Sequence, residues 1–143
     1  MNNDKIAILI KKASLEFDKI SNPIFSEYNI TASQYRVLKF LYSDPSKASR
    51  VVDIEKQCSI THPTALGLIE KLEKTGFVKK AVNPDDARSK VIILTDMAKD
   101  IQPELEGVGE RIENILTKNL NADEKKQMVR LLNKLLNTES TGD

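Results

Sequence analysis

The sequence predicts a mainly α chain carrying one small β-hairpin, and two observations set that class. Apolar residues recur at steps of three and four through most of the length, the period of helices with one buried face. The exception is Phe77 to Leu94. There, β-branched and aromatic residues gather in two runs, Phe77 to Val82 and Lys90 to Leu94, on either side of the turn signal Asn83-Pro84-Asp85-Asp86.

In the first segment Ile6, Ile10, Ala13, Phe17, Ile20 and Ile24 form a seam suited to packing against other helices, with Pro23 expected to break or kink it near its end. Thr31 is a good cap for a second helix that directs Tyr35, Leu38, Leu41 and Tyr42 towards a core and ends near Ser43-Asp44-Pro45. A short third helix starts at about Val51, with Val51, Ile54 and Cys58 on one face and Asp53, Glu55 and Lys56 away from it. After the tight connection Ser59-Ile60, Thr61, or failing it His62, caps a fourth helix, and Pro63 fits its first turn, where a missing N–H costs nothing. Ala65, Leu68, Ile69 and Leu72 give this helix one apolar stripe, and Gly76 ends it. Thr95 can cap a long fifth helix carrying Ala98, Ile101, Leu105, Val108, Ile112 and Ile115, which Pro103 is expected to bend. Asn121 or Asp123 opens a sixth, dense in apolar residues at Met128, Leu131, Leu132, Leu135 and Leu136, and the polar tail from Asn137 is expected to fray.

Two helices joined by so short a turn and followed at once by a basic hairpin describe a winged helix-turn-helix lobe, placed here at residues 31–95. Residues 1–30 and 96–143 form a helical region whose apolar stripes exceed what that lobe can cover. A second copy of the chain is the natural partner, with Ile6, Ile10, Phe17, Ile112, Ile115, Leu131, Leu132 and Leu135 as the expected dimerisation residues.

Composition narrows the function classes. Hydrophobic content of 40% and charged content of 30% are those of a globular protein, and no apolar run reaches the length of a membrane span. The segment Met1 to Lys12 has no small-residue cleavage site behind it, so a cytoplasmic location is expected. One cysteine and one histidine make neither an internal disulfide nor a structural zinc set, and Cys58 reads as a small buried residue closing its helix rather than as a redox sensor. No cofactor or metal is expected. No nucleophile with a base, carboxylate pair or Gly-rich phosphate loop stands at usable spacing, which argues against an enzyme. Net charge is only +1, but its distribution is uneven: 0 over residues 1–30, +4 over 31–95 and −3 over 96–143. The positive excess coincides with the helix and hairpin, as a footprint for double-stranded DNA requires.

On a helical wheel the face of the fourth helix opposite its apolar stripe holds Pro63, Thr64, Gly67, Glu70, Lys71 and Lys74. Lys71 and Lys74 suit phosphates, Thr64 a phosphate or a thymine methyl, and Glu70 a cytosine amino group. No Arg, Asn or Gln is present there to form the usual bidentate base pairs, so specificity is expected to lean on DNA shape. Gly67 has two readings, close backbone approach to DNA or drift at a solvated position. His62, at the border of the stripe, reads as a capping or packing residue before a base reader. In the hairpin, Lys79, Lys80, Arg88 and Lys90 surround Asp85 and Asp86. Arg88 is placed for a narrow minor groove and Asp86 to orient its guanidinium, against the plainer reading of a solvated loop with a surface ion pair.

The runs Thr61-His62-Pro63-Thr64, Leu72-Glu73-Lys74-Thr75-Gly76-Phe77-Val78, Asn83-Pro84-Asp85-Asp86-Ala87-Arg88-Ser89-Lys90 and Leu94-Thr95 strongly resemble the MarR family of bacterial transcriptional regulators. The resemblance covers nearly the whole chain. It implies a homodimer joined through the terminal helices, binding a pseudopalindromic promoter site with the fourth helix in the major groove and Arg88 in the minor groove, Ser89 and Lys90 beside it. It implies too that many members are repressors released by small aromatic ligands or by cysteine oxidation. The chain departs from its relatives at Leu66-Gly67, where Ser/Thr-Arg is common, and lacks a cysteine in its first helices. A ligand crevice between dimer helices and lobe would be lined by Phe17, Tyr28, Tyr35 and Tyr42, some of which can instead fill the core. The alternative to a DNA-binding regulator is a winged-helix module that pairs with proteins.

Overall fold

A computed structural model describes residues 5–138. It contains helices α1 (Ile6–Phe25), α2 (Ala32–Tyr42), α3 (Val51–Cys58), α4 (His62–Lys74), α5 (Asp96–Leu116) and α6 (Ala122–Leu136), a 3-10 turn at Ser26–Tyr28, and strands β1 (Ser49–Arg50), β2 (Val78–Asn83) and β3 (Asp86–Leu94). The mainly α class with a small wing is therefore the observed one. The three strands form an antiparallel sheet in the order β1-β3-β2.

Side-chain caps start the helices where the sequence places them. Thr31 and Gln34 form a reciprocal box at α2, as do Asn121 and Glu124 at α6. Thr61 Oγ1 accepts from the Thr64 N–H at α4, and Thr95 Oγ1 from the Ala98 N–H at α5. Gly76, at φ 87°, terminates α4 in the left-handed region that a side chain would strain. Pro23 and Pro103 both sit inside their helices, which continue past them. Thr95 also donates to the Gly76 carbonyl at 2.6 Å, fixing the start of α5 against the end of α4.

One continuous core runs through the chain. Val37, Leu38 and Leu41 of α2, Ile54 of α3, Ile69 and Leu72 of α4, and Val78 and Ile92 of the sheet pack with Phe25 of α1 and Leu105, Val108 and Ile112 of α5. The Phe25 and Tyr35 rings stack with centroids 4.6 Å apart. Ile112, expected at a dimer contact, is instead buried within its own chain, because α5 turns its central stripe inward onto α1 and α2. Phe17 likewise packs against this core.

The ends differ. No residue of α6 is buried, and Met128, Leu131, Leu132, Leu135 and Leu136 stand exposed, as do Ile6, Leu9 and Ile10 at the start of α1 and Ile115 on α5. Between α1 and α6 lies a groove of about 620 Å³, lined by Ile6, Leu9, Ile10 and Ala13 on one side and Met128, Leu131, Leu132 and Leu135 on the other. Of the tail expected to fray, residues 139–143 lie outside the described residues.

Candidate nucleic-acid interface

The turn between α3 and α4 is built by local chemistry. Ser59 takes a left-handed conformation at φ 55°, the Ile60 N–H reaches back to the Glu55 carbonyl at 3.1 Å, and Thr61 caps the next helix. The Arg36 guanidinium, from α2, donates to the Cys58 carbonyl at the end of α3. The Cys58 thiol is buried, and that burial pushes its pKa up, so it is held as the thiol rather than as a reactive thiolate. His62 Nδ1 lies 2.7 Å from Glu55 Oε2 and ties the first turn of α4 to α3. The His62 side chain nevertheless stays 60% exposed at the start of α4.

The outer face of α4 is open. Pro63, Thr64, Leu66, Gly67, Glu70, Lys71 and Lys74 are all exposed, while Ala65, Ile69 and Leu72 are buried beneath them. The Thr64 hydroxyl oxygen accepts from the Thr61 hydroxyl at 3.0 Å, which leaves its own O–H free to donate outward. Among the described residues, Lys71, Lys74, Lys79 and Lys90 form no ion pair, and Lys80 reaches Glu73 only at 3.9 Å.

The wing is longer than the sequence suggests on one side: β3 starts at Asp86, so the tip narrows to Pro84-Asp85, with an irregularity in register between Val82 and Asn83. Hydrogen bonds within the tip explain the extension. Asn83 Oδ1 accepts from the Asp85 N–H at 2.9 Å, Asn83 Nδ2 donates to Ser89 Oγ at 3.1 Å, and Ser89 Oγ donates to the Asp86 carbonyl at 3.2 Å. Ser89 is therefore engaged inside the tip and only partly exposed. Asp86 Oδ1 accepts from the Arg88 backbone N–H at 3.0 Å and from its Nε at 3.4 Å, so the guanidinium is oriented while its side chain remains 93% exposed.

The third strand, β1, has no counterpart in the sequence reading. It pairs Ser49 with Ile92 and Arg50 with Val91, and so brings Arg50 beside the wing, where its backbone N–H and guanidinium donate to the Asp53 carboxylate in the first turn of α3. The hydrogen bond from Arg50 holds the Asp53 carboxyl below its usual pKa.

The four aromatic residues expected to share a crevice do not share one. Tyr42 is buried and donates to the Ala98 carbonyl at 2.6 Å, Tyr28 donates to Glu104 Oε2 at 2.6 Å at the surface, and Phe17 packs on the core. Tyr35 alone of the four lines the cleft of about 720 Å³ between α2 and α5, with Lys39, Glu106, Gly109, Glu110 and Glu113. Its buried hydroxyl has no hydrogen-bond partner among the described residues, and burial raises its pKa, with the Glu106 carboxylate adding to the shift.

The family model described as MarR family matches residues 28–89, from the turn after α1 to the wing. The HTH-type transcriptional regulator MgrA of Staphylococcus aureus is 30% identical over 117 residues, covering 81% of this chain and 76% of that protein. The chain belongs to the MarR family of transcriptional regulators. Solved MarR-family structures agree along almost the whole chain. A Cys-to-Ser variant of MarR from E. coli complexed with operator DNA is 29% identical with a TM-score of 0.83, covering 92% of this chain and 93% of that one. BpsR of Bordetella bronchiseptica, whose DNA binding is regulated by 6-hydroxynicotinic acid, is 25% identical with a TM-score of 0.85, covering 95% and 96%. A MarR-family fold thus accounts for the helix-turn-helix, the wing and both sets of terminal helices.

Proposed function

We propose that this MarR-family chain binds double-stranded DNA as a homodimer and represses transcription from a pseudopalindromic promoter site in the cytoplasm. The observation that carries the reading is the exposed cationic strip: Lys71 and Lys74 on α4 and Lys79, Lys80, Arg88 and Lys90 on the wing lie on elements held rigidly by caps and tip hydrogen bonds. Residues 31–95 would form the DNA-binding lobe, with α4 in the major groove and Arg88 in the minor groove. The E. coli MarR variant solved with operator DNA supports the DNA-binding part of this reading.

Residues 1–30 and 96–143 would join the two copies. Ile6 and Ile10 of α1, Ile115 of α5, and Leu131, Leu132 and Leu135 of α6 are exposed in a single chain, an apolar area too continuous to leave in water. A small aromatic ligand is proposed to control the repressor through the cleft between α2 and α5. The Tyr35 ring lines this cleft, where Lys39 supplies a cation and Glu106, Glu110 and Glu113 acceptors. The ligand-regulated DNA binding of BpsR supports this part.

The test is fluorescence anisotropy on labelled duplex from the DNA upstream of this gene, titrated at several salt concentrations. Affinity is expected to fall linearly on a log-log scale, by about 0.9 for each phosphate neutralised. A complex insensitive to salt would favour the protein-pairing module instead.

A further inference from the structure

We propose that Leu66 reads a thymine methyl group in the major groove, and that the bare backbone at Gly67 gives it the depth to do so. This rests on the DNA-binding reading above and adds to it a residue that selects sequence.

Leu66 is 41% exposed on a helix whose apolar stripe is otherwise turned inward. It lies on the edge of the outer face nearer the wing, and with Val52 and Ile92 it floors a cleft of about 760 Å³ between α3, α4 and the sheet. Arg50, Lys80 and Lys90 line the cleft with Asp85 and Asp86; the Asp86 carboxylate is already bonded to Arg88 and Arg50 is paired with Asp53, so Lys80 and Lys90 outweigh the Asp85 carboxylate. An apolar floor inside a cationic rim fits a polyanion that carries a small apolar group. Among the base edges in the major groove the C5-methyl of thymine is that group, the one alkyl substituent beside hydrogen-bond donors, acceptors and ring C–H groups. Leucine has nothing to offer a donor or acceptor, and covering one with it would strip water without replacement. Leu66 is therefore suited to thymine and penalises the other edges.

Gly67 adds the geometry. A β-carbon built there meets nothing within 4 Å, so no neighbour in the chain requires a glycine. An interior glycine weakens a helix, and this one does so on the face turned away from the core. The absent side chain lets the helix sit closer to the base edges and brings the adjacent Leu66 down onto them.

The test uses duplexes enriched by this protein from a random pool, synthesised with thymine or with deoxyuridine throughout, which pairs identically but lacks the methyl. The wild-type chain is expected to bind the uracil duplex about fourfold more weakly for each methyl that a Leu66 side chain covers, the value of burying one such group. Leu66→Ala is expected to bind the thymine duplex more weakly by the same factor and to lose that factor of discrimination between the two duplexes. Gly67→Ala is expected to melt at higher temperature yet bind the thymine duplex more weakly. Equal wild-type affinity for the two duplexes, or full discrimination retained by Leu66→Ala, overturns the proposal. Salt-dependent binding without methyl dependence defeats this inference alone, whereas absence of binding to any duplex defeats the DNA-binding reading with it.

Discussion

A β-carbon at Gly109 would sit 2.8 Å from the Tyr35 hydroxyl oxygen, so the glycine of α5 and the buried hydroxyl of α2 occupy one another's space. Tyr35 Cζ and Cε2 would lie 3.5 and 3.6 Å away, an ordinary contact distance. Gly109→Ala alone should therefore destabilise the fold by about 1–3 kcal/mol despite the better helix former, because a packed neighbour must move. Tyr35→Phe should stabilise it by about 1 kcal/mol, since the hydroxyl it removes is buried without a partner. The double variant should exceed the wild type, because alanine then costs nothing at the contact. Urea denaturation of the four proteins measures this, and simple additivity of the two changes would refute the relationship.

Tyr42 gives the fold a dependence on alkaline pH. Burial pushes its pKa up to about 12, with the neighbouring Tyr35 and Glu106 adding to the shift. A raised value in the folded state means that the neutral phenol is favoured there, so the associated stability is complete below pH 10 and is lost as pH rises towards 12. Tyr42→Phe should cost about 1 kcal/mol at neutral pH by removing the bond to the Ala98 carbonyl, and should flatten the decline in melting temperature across that window. An unchanged slope would show that this hydroxyl does not titrate as described.

Thr61 is expected to matter to stability well beyond its exposed position. Its side chain satisfies the Thr64 N–H and bonds the Thr64 hydroxyl, so Thr61→Ala should lower stability by about 1 kcal/mol. Thr61→Asp should recover most of it, since the aspartate oxygen can cap the same N–H. Chemical denaturation distinguishes the two, and equal loss in both would mean that the cap is not what Thr61 contributes.

Arg88 should show the opposite profile. With its side chain 93% exposed, Arg88→Ala should leave the melting temperature unchanged and lower duplex affinity about tenfold, most on A/T-rich flanks where the minor groove is narrow. Asp86→Ala should weaken binding less, by freeing a guanidinium that remains present. Circular dichroism melts paired with anisotropy separate fold from binding, and a loss confined to the melts would place Arg88 in the fold instead.

What the sequence made legible was the chemistry that is local along the chain. Thr31, Thr61, Thr95 and Asn121 announce helix starts because a cap needs only its own next three residues, and Gly76 announces a stop because its conformation is its own. Periodicity shows which face of a helix is apolar without saying what covers it. For that reason the sequence suggests a partner chain for Ile112, which is buried in its own, and leaves Tyr42 between crevice and core, where the fold puts it in the core. β1 is two residues long and exists only through pairing with β3, some forty positions away, so no local pattern marks it. Asp86 and Ser89 favour turns and so suggest a wider loop at the tip of the wing, whereas their bonds to Arg88 and Asn83 draw them into the ribbon. Leu66 was legible as a departure from the family pattern, but only its exposure on the outer face of α4 makes it a candidate reader.

Hydroxyl-radical footprinting of the intact protein on the DNA upstream of its own gene tests the central claim most directly, because it reports both contact with the duplex and the number of lobes making it. Two copies of α4 presented by one homodimer should protect two stretches related by approximate two-fold symmetry, with centres about one helical turn apart. A single protected stretch, or a pattern no different from that of naked DNA at concentrations where the protein is dimeric, would contradict the account.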